Sequence, residues 1–432
     1  LRETVAAFPV YRTYLDCRSR TPRPQDVAHV QEAIEEAAAR RPDLDPELFE
    51  FLCNLLLMRL PGPAEDAFVL RFQQTTGPVM AKGVEDTVFY DFNRLVSLNE
   101  VGADLGCFGV TLEDFHDRAA AAQERWPLAL LATSTHDTKR SEDVRARIDL
   151  LSEIPARWAD AVTRWKDLNE RHRSGGVPDR NAEYLLYQTL VGAWPLDEDR
   201  AVAYMEKASK EAKAHTSWVD PSTDYDAGLA AFTTAILSDA GFLAELDAFV
   251  APLVEPGRIN SLAQTAIKLT YPGVPDLYQG TELWDLSLVD PDNRRPVDYE
   301  VRARLLDDAE DRGAAALHRS DDGLAKLFLV TRALEVRAAH PEAFGESSTY
   351  EPLWATGPRA AHAVVFVRGG RILTVAPRLV LTLDGEWRDT HLTLPEGRWT
   401  NALTGAELSG TVPMEELLHD FPVLVAVRGS SV

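Results

Sequence analysis

The chain has 432 residues, 45% of them hydrophobic and 26% charged, with a net charge of −23 and a pI near 4.9. This length implies about three domains or a barrel with insertions, and the apolar content is sufficient for packed cores. The acidic balance argues against a nucleic-acid partner and against an anionic membrane surface, whereas a neutral ligand would be indifferent to it.

Helical patterns dominate the first two-thirds of the chain. One apolar face predicts a helix over 25–40, marked by Val27, Val30, Ile34 and Ala38. Asp45 and Pro46 are a good N-cap and first-turn pair, which predicts a second helix through Leu60, closed by Gly62 and Pro63.

A short apolar run, 128–132, leads directly into His136 and Asp137, and a charged helical segment follows. This order predicts a strand that delivers a carboxylate to a strand–helix loop, where barrel enzymes hold catalytic groups. An Asp beside a His suits sugar chemistry, because both can bind ring hydroxyls near a cationic transition state. The alternative is an ordinary helix start with Glu142 and Asp143 as acids in its first turn.

A further helix is predicted from Pro155, with an apolar stripe formed by Trp158, Val162, Trp165 and Leu168. A tryptophan stripe at helical spacing favours core packing over a sugar platform. The segment 173–178 is predicted to be a loop, and helices to continue to about residue 270 with a break at 220–224.

The pattern changes to strands after about residue 345. The segment 363–375 predicts two strands joined by a hairpin turn at Gly369 and Gly370. Further strands are predicted at 381–383, 391–394 and 423–427. Together they predict a small antiparallel β-sandwich.

The three cysteines, Cys17, Cys53 and Cys107, have neither metal-site nor disulfide-framework spacing, so a reducing, cytoplasmic location is expected. Cys53 lies in an apolar helical run and is predicted to be in the core. No apolar stretch approaches 18 residues, so no transmembrane helix is expected. The start at Leu1 has neither Met nor a signal-peptide pattern, which indicates the middle of a longer protein.

Several strings together resemble one enzyme family. The string Ser134-Thr-His-Asp-Thr-Lys-Arg-Ser-Glu-Asp-Val-Arg145 closely resembles the maltooligosyl trehalose synthases, a branch of the α-amylase-like glycoside hydrolase family 13. Lys82-Gly-Val-Glu-Asp-Thr-Val-Phe-Tyr90 is part of a second, branch-specific string. Further matching segments follow the family order at 6–14, 73–81, 97–102, 183–195, 216–218, 273–283 and 290–296.

The resemblance implies an α/β fold, the C-terminal part of a (β/α)8 barrel with large helical insertions, followed by the small antiparallel β-sandwich. Residues 128–135 would be the seventh barrel strand and 274–279 the eighth. The implied segments are a barrel segment (1–15), a helical insertion (16–115), the seventh-strand region with the His-Asp motif (116–150), a second helical insertion (151–255), the eighth-strand region with closing helices (256–345) and the sandwich (346–432).

The resemblance also implies roles for the residues of the His-Asp string. Asp137 would be the third carboxylate of the amylase-like catalytic triad and His136 would contact the same sugar. Lys139 and Arg140 would bind hydroxyls or orient carboxylates, with a solvated helix start as the alternative.

Other candidate residues lie outside that string. Charged and aromatic side chains of the branch-specific string suit a sugar pocket, with a buried ion pair and core aromatics as the alternative: Lys82, Glu85, Asp86, Phe89 and Tyr90. Weaker substrate-binding candidates are Asn181, Glu183 and Tyr184. Among Asp290, Arg294 and Arg295, a structural salt bridge is expected for at least one Arg.

The chain departs from the family pattern in lacking two catalytic residues. In the family, the nucleophilic Asp and the acid/base Glu lie upstream of the segment that corresponds to residues 6–14, which contains Phe8. The expected partners are therefore a maltooligosaccharide and the missing N-terminal part of the enzyme. The implied reaction, an intramolecular transglycosylation that converts a terminal α-1,4 bond into an α,α-1,1 bond, requires no metal and no organic cofactor. Two alternatives remain, an amylase-like or trehalose-releasing hydrolase and a noncatalytic glucan-binding fragment.

Overall fold

The computed structural model describes residues 1–311 and 321–429. The chain forms two compact units, the first made of Leu1–Phe92 with Ala208–Pro221, the second of Asn93–Lys207 with the described part of Ser222–Val432. Within the described residues the first unit contains helices alone, and every strand belongs to the second unit.

The first unit consists of consecutive helices, of which the first two are separated by the longer segment 7–23 and the others by short connections. Its helices are α1 (Arg2–Ala6), α2 (Pro24–Arg40), α3 (Pro46–Leu56), α4 (Pro63–Met80) and α5 (Phe89–Asp91), with a π-helix (Ala81–Val88) between the last two. The helix predicted over 25–40 is confirmed. The predicted end of the next helix is wrong, because it stops at Leu56 and Pro63 occupies the first turn of α4 instead.

Packing of α1 to α4 explains why these helices form. Asp45 caps α3 by accepting a hydrogen bond from the backbone N–H of Glu47 at 2.9 Å. Apolar side chains from α2, α3 and α4 form one buried cluster, including Val30, Ile34, Phe49, Leu52 and Phe72. Cys53, predicted to be in the core, packs against this cluster but is only partly buried.

The second unit contains the longer run of helices. Its helices are α6 (Leu112–Arg125), α7 (Glu142–Ile148), α8 (Pro155–Asn169), α9 (Arg180–Ala193), α10 (Glu198–Ala212, which continues into the first unit), α11 (Thr223–Leu237), α12 (Ala240–Thr270), α13 (Tyr299–Asp311), α14 (Leu324–Ala339) and the short α15 (Val380–Leu383) and α16 (Met414–Leu417). Trp158 and Trp165 of α8 are buried, and Trp165 contacts the rings of Tyr187 and Phe249. Core packing is therefore confirmed for these two rings.

The longest helix, α12, has 31 residues and runs across the boundary predicted at 255/256. The limits of the predicted insertions stay predictions. Among the described residues, no single helix combines the length and apolar composition needed to cross a membrane. By these two criteria alone, α11 and α12 pass only as a pair, with a bend of 73° between them.

Among the residues that the structure describes, ten strands form three sheets, all in the second unit. They are β1 (Leu130–Leu131), β2 (Val274–Pro275), β3 (Tyr350–Leu353), β4 (Ala363–Arg368), β5 (Ile372–Pro377), β6 (His391–Thr393), β7 (Trp399–Asn401), β8 (Glu407–Leu408), β9 (Thr411–Pro413) and β10 (Leu424–Arg428). β1 pairs in parallel with β2, while β3-β4-β5-β10-β7-β8 and β6-β9 form antiparallel sheets. The predicted change to antiparallel strands after residue 345 is confirmed.

The six-stranded sheet is covered on both faces, since every residue of β4 and β5 is buried. One face packs on α12 and α14, and Thr374 donates to Thr270 at 2.9 Å. The other face packs on β6 and β9. The hairpin turn is confirmed, with φ of +55° at Gly369 and +60° at Gly370. The strand predicted at 381–383 is wrong, because these residues belong to the helical turn α15.

Candidate functional site

The parallel pair β1–β2 sets the starting points of two loops. Leu130 lies opposite Val274, and the N–H of Asp276 donates to the carbonyl of Leu131 at 2.7 Å. A side chain at Gly273 would place Cβ 2.6 Å from Cγ of Leu131, so only glycine permits this approach. Because the strands are parallel, the loops that follow them leave at the same end of the pair.

The loop after β1 presents His136 and Asp137 to solvent. Thr135 and Thr138 hold the turn, because the Thr138 hydroxyl donates to the Thr135 carbonyl at 2.9 Å. The N–H of Asp137 donates to Oγ1 of Thr135 at 3.2 Å. The Asp137 side chain is 58% exposed, so its carboxylate can reach a ligand.

Lys139 lies behind this carboxylate. Its side chain is 2% exposed, with Nζ 3.9 Å from Oδ1 of Asp137. Its backbone N–H donates to the Glu100 carboxylate at 3.0 and 3.1 Å, and Glu100 also pairs with Arg145 at 2.8 Å. A cation at this position can orient the Asp137 carboxylate. The alternative of a solvated helix start is wrong for Lys139.

Arg140 is also buried, and its contacts are structural. Its guanidinium donates to the carbonyl of Val96 at 3.2 Å and to the hydroxyl of Tyr204 at 2.7 Å. Its backbone bridges to Leu288 in the loop after β2. The solvated alternative is wrong here too. Protein encloses the Arg140 side chain, which favours a supporting role over the predicted binding of sugar hydroxyls.

We call residues 132–141, between β1 and α7, the His-Asp loop, and residues 285–293, after β2, the clamp. The clamp binds the His-Asp loop along much of its length. The N–H of Ser141 donates to the carbonyl of Ser287 at 2.9 Å, and the N–H of Asp285 donates to Asp143 at 2.6 Å. Nδ2 of Asn293 donates to the carbonyls of Thr135 and His136 at 3.2 and 3.0 Å. The clamp thus fixes the backbone that carries His136 and Asp137.

Asn293 lies within the matching segment 290–296, but no local pattern there predicts its role. The sequence predicts a salt bridge for at least one Arg of this segment, and Arg294 pairs with Asp290 at 2.5 Å. Arg295 donates to Oγ of Ser287 at 3.1 Å and lines a cavity of about 440 Å³ beside the clamp. The polar side chains around that cavity could hold a hydroxylated ligand close to the loop.

A buried cluster of two carboxylates and two ammonium groups lies beneath the loop. Lys326 of α14 binds Glu142 at 2.6 Å and Asp143 at 3.0 Å, and Lys268 of α12 binds Glu142 at 3.3 Å. Burial opposes ionisation of Glu142, but attraction to Lys326 and Lys268 outweighs it and lowers its pKa to about 2. Burial raises the pKa of Asp143, and the charge of Glu142 contributes to that rise. Helix α7 does begin at Glu142, but its first acids are not solvated.

The branch-specific string lies on the π-helix and α5 of the first unit. Lys82 pairs with Asp86 at 2.5 Å and is largely exposed, so this ion pair is not buried. Glu85 is buried and accepts a hydrogen bond from Tyr11. Phe89 is 1% and Tyr90 3% exposed, which favours core packing over a sugar platform for both rings.

The three weaker candidates lie at the start of α9. Asn181 is exposed, and its N–H donates to Asp179 at 2.9 Å. Glu183 is buried between Arg180 at 2.6 Å and the hydroxyl of Tyr187 at 2.7 Å. Tyr184 accepts a hydrogen bond from the Trp158 indole at 2.9 Å. These contacts indicate support of the helical core for Glu183 and Tyr184, and leave the side chain of Asn181 on the surface.

No protein-family model matches the chain. Two curated proteins, each named putative maltooligosyl trehalose synthase, from two strains of Mycobacterium tuberculosis, are 40% identical to it over 422 residues. The match covers 96% of this chain and 52% of each relative, so the chain spans about half their length.

Solved structures give the same result. The maltooligosyltrehalose synthase from Arthrobacter ramosus has a TM-score of 0.88 at 38% identity, covering 99% of this chain and 53% of that protein. A hypothetical maltooligosyl trehalose synthase from Sulfolobus tokodaii has a TM-score of 0.76 at 30% identity, with coverages of 99% and 53%. Sequence and fold therefore agree over nearly the whole chain.

Proposed function

Because the chain belongs to the maltooligosyl trehalose synthase family, sharing its sequence and fold over about half the relatives' length, we propose that it is the C-terminal part of a trehalose-forming transglycosylase. Its substrate is a maltooligosaccharide, and the product carries a terminal α,α-1,1-linked trehalose unit. The observation that carries this proposal is the solvent-facing Asp137 on a loop that follows a parallel strand.

Asp137 acts on the sugar whose bond is broken. Its carboxylate accepts hydrogen bonds from that sugar's hydroxyls, which strengthen as positive charge develops on the ring. His136 donates to a neighbouring hydroxyl. Lys139, with Nζ 3.9 Å from Oδ1 of Asp137, orients the carboxylate.

The remaining catalytic groups come from outside this chain. A carboxylate nucleophile displaces O4 of the terminal glucose and forms a glycosyl ester, while an acid/base group protonates that O4. The released glucose stays bound and turns. The same acid/base group, now ionised, takes the proton of the anomeric hydroxyl, whose oxygen attacks the glycosyl carbon and frees the nucleophile. Water must be excluded throughout, because it would hydrolyse the ester.

The parallel pair supports completion of the fold by further strands. Leu130 of β1 is 80% exposed, and Leu128 and Val274 are also exposed. Parallel sheets are normally covered on both faces, and two strands alone are marginally stable. We propose that the N-terminal part of the enzyme supplies the remaining strands of a (β/α)8 barrel together with the nucleophile and the acid/base.

The test is product analysis. The chain is joined to the N-terminal half of a relative from the family, incubated with maltopentaose and analysed by chromatography. A nonreducing pentasaccharide is expected, and Asp137→Asn should abolish it while leaving the circular dichroism spectrum unchanged. Reducing sugars as the main product would instead identify a hydrolase. If Asp137→Asn forms product at the unmodified rate, the assignment of Asp137 is wrong.

A further inference from the structure

A groove separate from the His-Asp loop opens in the second unit. It has a volume of about 600 Å³, within the roughly 300–1,000 Å³ of small-molecule sites. Residues 109–114 at the start of α6 form one wall, and Trp354, Ala360 and Ala361 with Arg378 form the other. None of these residues belongs to the strings that identify the family.

The groove holds a fixed, half-exposed aromatic ring. Trp354 is 48% exposed and makes an edge contact with the ring of His116, with centroids 4.9 Å apart. His116 is itself buried and bound to the hydroxyl of Tyr350 at 2.7 Å, and Tyr350 stacks on Phe366. The Trp354 ring therefore rests on a rigid support, which reduces the entropy lost when a ligand stacks on it.

The groove is also lined by polar side chains of both charge signs. Arg378 donates from its guanidinium to the Ala361 carbonyl at 3.2 Å and is half-buried. Thr111 and Asp114 bind each other in the cap of α6, and Glu113 lies beside them on the surface. One cation with two carboxylates, on a chain of net charge −23, does not suit a phosphorylated ligand. It suits a neutral polyhydroxylated ligand with an apolar face.

We propose that this groove is a second α-glucan site, in which Trp354 stacks on glucosyl units that are not being converted. The identity of the ligand rests on the proposed function, since a neutral glucan is the substrate assigned to the His-Asp loop. The site would keep long glucan chains bound to the enzyme between turnovers. Short substrates would gain nothing from it.

Binding is measured with the 432-residue chain itself, by affinity electrophoresis in gels containing soluble amylose and by titration with maltoheptaose. Trp354→Ala should weaken binding roughly fivefold, the effect of one aromatic contact, and Trp354→Phe should recover part of it. Gly109→Leu should also weaken binding, since a Cβ there meets no atom within 4 Å and its side chain would occupy groove space. Trp126→Ala is the matched control, because Trp126 is 70% exposed and does not line the groove.

The outcomes separate this inference from the proposed function. Equal binding by the unmodified chain and Trp354→Ala, or an equal loss in Trp126→Ala, would overturn the groove assignment. The complete enzyme carrying Trp354→Ala should convert maltopentaose at an unchanged rate. If the complete enzyme makes the nonreducing product but amylose does not retard the chain, the second glucan site is wrong and the proposed function is supported. Retardation that depends on Trp354, without any nonreducing product, would support the groove and overturn the proposed function.

Discussion

Asp137 is the residue on which the catalytic proposal depends most. Replacing its carboxylate by an amide in Asp137→Asn keeps the shape but removes the charge that, in the proposed mechanism, stabilises the cationic transition state. Removing such a contact costs on the order of 10²-fold in kcat or more. We expect at least this loss in the complete enzyme, measured as initial rates with saturating maltopentaose. Activity within about tenfold of the unmodified enzyme would remove Asp137 from the triad.

In the proposed mechanism Asn293 is a positioning residue, because it binds the backbone of the loop that carries Asp137. Its amide group must be oriented with Nδ2 toward Thr135 and His136, since only the NH₂ can donate to two carbonyls. Asn293→Ala frees both carbonyls, so the turn carrying Asp137 should loosen. We expect kcat to fall at least about tenfold, as small displacements of catalytic groups have large effects, with KM changed less.

The control for this prediction is Asn169→Ala. Asn169 is a fully buried asparagine of the same unit whose Nδ2 donates to the Tyr187 hydroxyl at 3.0 Å rather than to the His-Asp loop. Both variants should lose stability, by about 1–3 kcal/mol for a lost buried hydrogen-bond partner. Only Asn293→Ala should lose kcat at a temperature where both are folded. Equal effects on kcat would reduce Asn293 to a general structural role.

Residue types and order predicted the exposed carboxylate, but not the contacts that hold it. The strand-to-loop pattern around Asp137 is local, so the sequence reveals it. Asn293 binds carbonyls 157 and 158 residues away, and no local pattern encodes such a pairing. Burial of Arg140 and Phe89 is equally nonlocal, because a charged or aromatic residue in a motif looks alike whether its neighbours cover it or not.

Helix α7 and its anchoring helices α12 and α14 meet at the buried charge cluster. Lys326→Met removes the ammonium that binds both Glu142 and Asp143 while preserving the length of the side chain. Two buried carboxylates then share Lys268 alone, and breaking a buried pair costs about 3–5 kcal/mol. We expect the denaturant midpoint to fall accordingly. Arg332→Met on the same helix α14 is the control, since its pair with Glu335 is at the surface and should contribute less than about 1 kcal/mol.

The cluster also predicts how stability depends on pH. The pKa of Glu142 is about 2 in the folded chain, below the roughly 4.3 of an unfolded Glu. The unfolded state therefore binds the proton first, and the stabilisation present above about pH 4.5 is lost as the pH falls toward 2. Comparing denaturant midpoints between pH 6 and pH 3 for the unmodified chain and Glu142→Gln measures this contribution. Between pH 6 and pH 3 the denaturant midpoint should fall less in Glu142→Gln than in the unmodified chain. An equal fall in both would contradict the folded-state ion pair.

Elements with strong local signals were predicted, and those decided by packing were not. Consecutive glycines at 369 and 370 specify the β4–β5 turn, since both adopt positive φ. Val380–Leu383 has strand-like composition, yet it forms a helical turn flanked by positive-φ residues at Leu379 and Asp384. Its buried side chains pack against the sheet rather than extend it, which local propensity does not reveal.

At the scale of the molecule, the two antiparallel sheets after residue 345 are expected to contribute to stability and not to catalysis. Leu392 of β6 is 1% exposed in the core between β6–β9 and the large sheet. Leu392→Ala should cost about 2–5 kcal/mol and lower the thermal midpoint. The kcat of the complete enzyme at 25 °C should stay within about twofold. A conservative change on either sheet that left the midpoint intact but abolished turnover would show that the sheet takes part in catalysis.

The β1–β2 pair has a consequence for handling the isolated chain. Its outer backbone edges can accept another strand, and Trp126, Leu128 and Leu130 lie exposed beside them. Such a surface is an aggregation hazard, because any neighbouring chain with a free edge and apolar side chains can cover it. The net charge of −23 opposes self-association through repulsion, and this repulsion weakens as added salt shortens its range. The isolated chain should therefore resist aggregation best at low protein and low salt concentrations. As salt is added, self-association should begin at this edge.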